Sequence, residues 1–124
     1  MKFSLDNGTG TYRIIAHRPG SIQVNEMVVD YPVIIMPEQM MQWEAQDFDS
    51  LQPHHFHQLI ELNPEILLFG SGATQRFPMP ELYRSVLEAG IGMEVMDTAA
   101  ACRTYNILMA EDRQVAAVLF MTEL

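Results

Sequence analysis

The residues of this chain whose types and spacing suit joint chemistry lie in one run, Asp97-Thr98-Ala99-Ala100-Ala101-Cys102-Arg103-Thr104-Tyr105-Asn106. Asp97 suits the N-cap of a helix running to about Glu111, because its carboxylate can accept one of the orphan first-turn N–H groups. At about 100° per residue from Asp97, Ala100, Ala101, Thr104, Ile107 and Leu108 share one side, and Cys102, Arg103 and Asn106 share the other. Alanines let a helix pack closely on a sheet, so the alanine side is expected to be buried. The other side then displays a thiol, a guanidinium and an amide. Three readings compete for it. Cys102 is a nucleophile held as thiolate by Arg103 and the helix N-terminus, although it sits in the second turn, where the dipole has faded. Alternatively, Arg103 and Asn106 recognise a carboxylate, a phosphate or a partner's backbone. The plainest reading makes Cys102 a small buried hydrophobe and pairs Arg103 with a local acid.

Two further groups invite chemistry. Gly70-Ser71-Gly72 follows an apolar run, the place where α/β sheets bind ligands, and its backbone N–H groups could cradle an anion. The full dinucleotide or phosphate-loop spacing is absent, and a tight strand exit calls for glycine in any case. His54, His55 and His57, with Glu61 one turn on, have helical spacing for a metal, but the segment is also the polar side of an amphipathic helix. Solvated histidines are the expectation there, with no metal and no cofactor.

The elements that must position these groups follow from periodicity. Tyr12–Ala16 and Ser21–Val24 are β-prone runs joined by Pro19-Gly20, a turn pair, and read as a hairpin. Val33–Met36 is a further strand between Pro32 and Pro37, and Met41–Ala45 alternates like a half-exposed strand around Trp43. From Pro53 the period becomes helical, through Phe56, Leu59, Ile60 and Asn63, and ends before Pro64. Ile66–Phe69 reads as a strand covered on both faces. Pro80 opens a helix with Leu82, Tyr83, Val86 and Leu87 on one face and Gly90 at its end. Ile91–Met96 and Val115–Phe120 are strands on either side of the Asp97 helix. The pattern is α/β: strand-rich in its first half, then strand–helix–strand–helix–strand, which places helices against a mixed sheet. Residues 1–10 read as a flexible tail, and 11–124 as a single domain. The methionines, with Met40-Met41 beside Trp43, fill core or offer an adaptable contact surface.

Composition narrows the partners. The 124 residues carry 16 acidic and 7 basic side chains, a formal charge of −9. Such a surface repels phosphate backbones and anionic lipids, so no nucleic acid is expected. With a single cysteine there is no internal disulfide framework and no cysteine-rich zinc cage. No apolar window is long enough to insert into a membrane and no targeting segment is visible, so the expected location is cytoplasmic.

Glu94-Val95-Met96-Asp97-Thr98, followed by Cys102-Arg103-Thr104-Tyr105-Asn106, resembles the signature of a widespread, largely uncharacterised family, the Mth-domain proteins. Pro64–Gly72 and Gly90-Ile91-Gly92 belong to the same likeness, which covers about residues 12–121. That family includes the adipogenesis-associated Mth-domain protein and the third assembly factor of mitochondrial NADH:ubiquinone oxidoreductase (complex I). The resemblance implies three layers: a mixed central β-sheet flanked by helices, with a small additional N-terminal β layer. It implies no catalytic residues. The family's glycine loop maps to Gly70, Ser71 and Gly72, with serine where threonine is common, and its polar helix face to Asp97, Thr98, Cys102, Arg103 and Asn106. The functional expectation is a non-catalytic binding or assembly-type protein, recognising a protein partner or a small anionic ligand through that loop and helix face. The alternatives are an enzyme on a small anionic substrate with Cys102 as nucleophile, and self-association through an edge strand or the Met-rich segment.

Overall fold

The apolar run at Ile66–Phe69 becomes the strand about which the rest of the structure is arranged. The structure is a computed structural model that describes residues 11–122; the tail expected over residues 1–10 lies outside them. In chain order the elements are β1 (Ile14–Arg18), β2 (Ser21–Val24), β3 (Met27–Val29), β4 (Val33–Ile35), β5 (Met40–Gln42), a 3-10 turn (Phe48–Ser50), α1 (Pro53–Ile60), β6 (Ile66–Gly70), α2 (Pro80–Glu88), β7 (Gly92–Met96), α3 (Thr98–Ala110) and β8 (Val115–Leu119). Five strands form a mixed sheet in the order β5-β4-β8-β6-β7, and β1-β2-β3 form a separate antiparallel sheet. Strand β6 runs parallel to both β7 and β8, while β4 is antiparallel to β8 and to β5.

Handedness dictates the layers. The chain moves from β6 outward to β7 through α2, then back past β6 to β8 through α3. Two right-handed crossovers in opposite directions must lie on opposite faces of the sheet. Alternation along the strands supplies both faces with apolar side chains. Leu67, Phe69, Ala116, Val118 and Ile34 pack under Phe56 and Leu59 of α1 and Val86 of α2. Leu68, Val115, Ala117, Leu119, Val33 and Ile35 face Ala101, Cys102 and Tyr105 of α3, together with Ile14, Ile22, Val24 and Val29 of the small sheet. Each fully buried aliphatic or aromatic side chain here contributes about 1.5–3 kcal/mol. The three layers and the extra β layer implied by the resemblance are therefore present.

Several expectations need correction. Strand β3 was not anticipated: it is only three residues long and enters through a two-residue turn in which Asn25 takes a positive φ of 53°. On α2 the buried side chain is Val86, with Leu82 and Tyr83 partly covered, whereas Leu87 is 52 % exposed. A short helix lying on the sheet's edge has too narrow a contact to bury four apolar positions. Gly90 does follow the helix with a positive φ of 83°.

His55 is also buried rather than solvated, and the reason is local. Its Nδ1 accepts the Gln52 N–H at 3.0 Å, closing the first turn of α1. Its carbonyl accepts the Trp43 indole N–H at 3.3 Å. Trp43 in turn packs edge-on to Phe56 and Phe69 with ring centroids 5.9 and 6.3 Å away, and tilted against Phe120 at 5.4 Å. Burial, and secondarily the neighbouring His54, lower the His55 pKa from its ordinary 6.5, with Glu44 pulling the other way. The folded state thus prefers the neutral ring, so its contribution is complete above pH 6.5 and is lost as pH falls towards the lowered folded value. Unfolding by urea, followed through Trp43 fluorescence, should show stability falling as the pH drops below 6.5. His55→Gln should flatten that part of the profile; an identical slope in the variant would contradict the assignment.

Candidate functional site

The exit of β6 is built for close approach. A Cβ on Gly70 would lie 2.7 Å from Leu119 Cδ2, 3.1 Å from Thr98 Oγ1 and 3.2 Å from Ala101 Cβ, so only glycine lets α3 settle onto β6 and β8 here. The loop beyond is tied inward. Ser71 N–H donates to the Met96 carbonyl at 2.9 Å, and Thr98 N–H donates to the Gly72 carbonyl at 2.9 Å. Gly72 N–H donates to the Thr98 hydroxyl at 2.9 Å, which itself donates to the Phe120 carbonyl at 2.7 Å. The Ser71 hydroxyl donates to the Thr74 carbonyl at 2.6 Å and accepts Arg76 N–H at 2.9 Å. The Asp97 carboxylate caps α3 by accepting Ala100 N–H at 2.8 Å.

The structure therefore joins Gly70, Ser71 and Gly72 to Asp97 and Thr98, as parallel neighbours β6 and β7 require. It also corrects the anion-cradle reading of this loop. The N–H groups of Ser71, Gly72 and Arg76 are all consumed by internal acceptors, and the crevice between the two strand ends is closed by their mutual bonds.

The helix face is where the sequence reading departs most from the structure. The buried stripe of α3 is Thr98, Ala101, Cys102 and Tyr105, while Ile107 is 59 % exposed. The alanines suggested a face one step round the helix from the true one. Tyr105 sets the orientation, because its hydroxyl crosses to the Tyr12 carbonyl at 2.7 Å and its ring is fully buried. Cys102 is 3 % exposed, and burial, opposed only in part by Arg103, pushes its thiol up to about 12. A thiol that is inaccessible and protonated at neutral pH is not a nucleophile, which corrects the enzyme alternative built on it. Asn106 is occupied as well. Its Oδ1 accepts Ile14 N–H at 3.1 Å and its Nδ2 donates to the Ile14 carbonyl at 2.7 Å, so the amide clamps β1 onto α3 as a strand neighbour would. Of the three residues expected on a shared display, Arg103 alone is exposed.

An open cleft of about 600 Å³ lies on the other side of the loop. Ser71, Gly72, Ala73, Thr74 and Arg76 form one wall; Asp30, Pro32, Phe120 and Met121 form another; Asp47, Phe48 and Asp49 close it. Asp97, Thr98, Cys102, Arg103 and Asn106 are not among its lining residues. The second wall exists because β4 and β8 are antiparallel, which brings the residues before β4 beside those after β8. Arg76 lies in this cleft with its guanidinium carbon 3.9 Å from the centre of the Phe48 ring and its Nη2 3.1 Å from Asp49 Oδ1. Sequence reasoning missed Asp30, Phe48, Asp49, Arg76, Phe120 and Met121. The only signal was Arg76 following the glycine loop, since the rest depends on strand pairing. Among the described residues no group of three or more His, Cys, Asp or Glu side chains is placed to hold a metal ion.

The contrast between Asn106 and Arg103 can be tested directly by denaturant unfolding. Asn106→Ala should lose about 1–3 kcal/mol, because two main-chain partners on β1 are stranded. Arg103→Ala should stay within about 0.5 kcal/mol of the parent. Equal effects of the two would contradict the structural role given to Asn106.

The comparisons with known proteins agree on the fold. A zebrafish (Danio rerio) protein named NADH dehydrogenase [ubiquinone] 1 alpha subcomplex assembly factor 3 is 31 % identical over 108 residues, covering 86 % of this chain but 62 % of that protein. The chain thus spans about three fifths of that relative's length. A Francisella tularensis protein named 13 kDa major membrane protein is 30 % identical over 92 residues, 73 % of this chain and 75 % of that one. Among the described residues of the present chain, no helix is long and apolar enough to cross a membrane. The solution structure of a Bordetella pertussis protein described as a Mth938-like domain superposes with a TM-score of 0.82 at 31 % identity, covering 99 % of this chain and 94 % of that one. A family model described as "Protein of unknown function (DUF498/DUF598)" matches residues 14–120, and the chain belongs to that family, with a Mth938-like fold.

Proposed function

We propose that this protein is a non-catalytic binding protein of the assembly type, and that it engages a protein partner through the cleft beside the Gly70–Gly72 loop. The observation that carries the reading is the division of labour at the β6 exit. The polar groups of Ser71, Gly72, Asp97 and Thr98 are spent on holding the framework together, while an open cleft of about 600 Å³ is left on the loop's outer side. A rigid loop beside an open groove presents a surface for recognition. The assembly-factor name of the zebrafish relative supports the same class of role.

A small anionic ligand fits this cleft less well than a protein does. Asp30, Asp47 and Asp49 line it against the single guanidinium of Arg76, and the N–H groups of Ser71, Gly72 and Arg76 are already bonded within the protein. Exposed Arg103 on α3 remains a second element of the proposal, as a contact outside the cleft. A cytoplasmic setting belongs to the same reading.

The experiment is affinity capture of the tagged protein from lysate of its own organism, compared with two variants and read by quantitative mass spectrometry. Ala73→Trp fills the cleft from an exposed position, and Arg103→Ala removes the helix cation. The reading predicts a partner lost with Ala73→Trp, with the melting temperature within about 2 °C of the parent. Capture unchanged by Ala73→Trp but lost with Arg103→Ala would move recognition to α3 and overturn the cleft assignment.

A further inference from the structure

The cleft already holds a guanidinium, and it belongs to the chain itself. Phe48 gives Arg76 an aromatic face at 3.9 Å, and Asp49 gives it a carboxylate oxygen at 3.1 Å. A ring below and a carboxylate at the edge are what a planar, multiply donating cation requires. The pair is open to water: the side chains of Arg76 and Asp49 are 48 % and 85 % exposed. Its displacement therefore costs about tenfold in affinity or less. The main chain does not have to move for that to happen, because Arg76 N–H is anchored independently on the Ser71 hydroxyl.

The charge around it is one-sided. Asp47 is partly occupied as a cap, its Oδ1 accepting Ser50 N–H at 2.9 Å, but Asp30 has no ion-pair partner among the described residues. If Arg76 swings out, Asp49 joins Asp30 in facing the cleft without a cation, beside the apolar lining of Phe48, Phe120 and Met121. The whole chain carries −9. Charge complementarity then commits the cleft to a cationic occupant, and the aromatic face selects arginine over lysine, whose ammonium is compact and strongly hydrated.

We propose that the cleft receives an arginine-bearing basic segment of a protein partner, and that Arg76 occupies the guanidinium subsite until the partner's arginine displaces it. This rests on the reading of the cleft as the partner-binding surface and names the chemistry of what enters it. The subsite is Phe48 with Asp49, and Asp30 faces a second basic side chain of the same segment.

A fluorescein-labelled peptide with two arginines spaced by glycines and uncharged at both ends provides the probe, with anisotropy as the readout at about 50 and 150 mM salt. The parent protein should bind it saturably, and its lysine counterpart at least threefold more weakly. Arg76→Ala should tighten binding three- to tenfold, since it removes the internal competitor. Asp30→Asn combined with Asp49→Asn should weaken it tenfold or more without changing the melting temperature. Absence of binding, equal binding by the parent and the double variant, or weaker binding by Arg76→Ala would each overturn the proposal. Failure of the peptide while Ala73→Trp still abolishes capture would leave the cleft standing and refute only the basic occupant. Failure of both would refute the cleft itself.

Discussion

The hydroxyl of Thr98 is the constraint on which the arrangement depends. It is fully buried, accepts the Gly72 N–H and donates to the Phe120 carbonyl, while its own backbone N–H reaches the Gly72 carbonyl. One side chain thereby ties together the exit of β6, the exit of β8 and the first turn of α3. A hydroxyl with both donor and acceptor capacity satisfied in a dry site is worth most as a pair of bonds, because losing it strands both partners. Gly70 is the steric counterpart. Any Cβ there would meet Leu119, Thr98 and Ala101, so the latch closes only over glycine. The Thr98 hydroxyl also bridges the two main chains, at Gly72 and Phe120, that the β6–β8 pairing brings beside the cleft.

Much of the framework was legible in the residues, and the part that was not has a common cause. Local signals with strong physics behind them carried through: Pro53 and Pro80 opening α1 and α2, Asp97 capping α3, and the apolar runs at Ile66 and Val115 becoming the strands covered on both faces. The failures required knowledge of a distant partner. Whether Ala100 or Cys102 faces the sheet depends on where Tyr105 finds an acceptor, and that acceptor is Tyr12, remote in sequence. Asn106 read as a recognition residue because its partner, the Ile14 main chain, could not be anticipated from spacing. The cleft was missed for the same reason: its walls come from antiparallel pairing of β4 and β8, a long-range contact with no local signature.

The framework takes up most of the polar residues that stand out in the sequence. The conspicuous motif, Asp-Thr followed by Cys-Arg-Thr-Tyr-Asn, is mostly structural: a cap, a latch, a packed thiol, a buried phenol and a clamp. The exposed acids beside the cleft are inconspicuous in sequence, yet they set the sign of what can approach it. At Cys102 burial raises the thiol's pKa, outweighing the nearby Arg103, and so disfavours the thiolate.

The most direct test of the Thr98 latch is Thr98→Val, which keeps the side chain's size and removes only the hydroxyl. Urea unfolding should show a loss of about 2–4 kcal/mol, and amide exchange of Gly72 should accelerate relative to the core of β6. Stability within about 0.5 kcal/mol of the parent, with Gly72 still protected, would contradict the claim that one hydroxyl holds the three segments together.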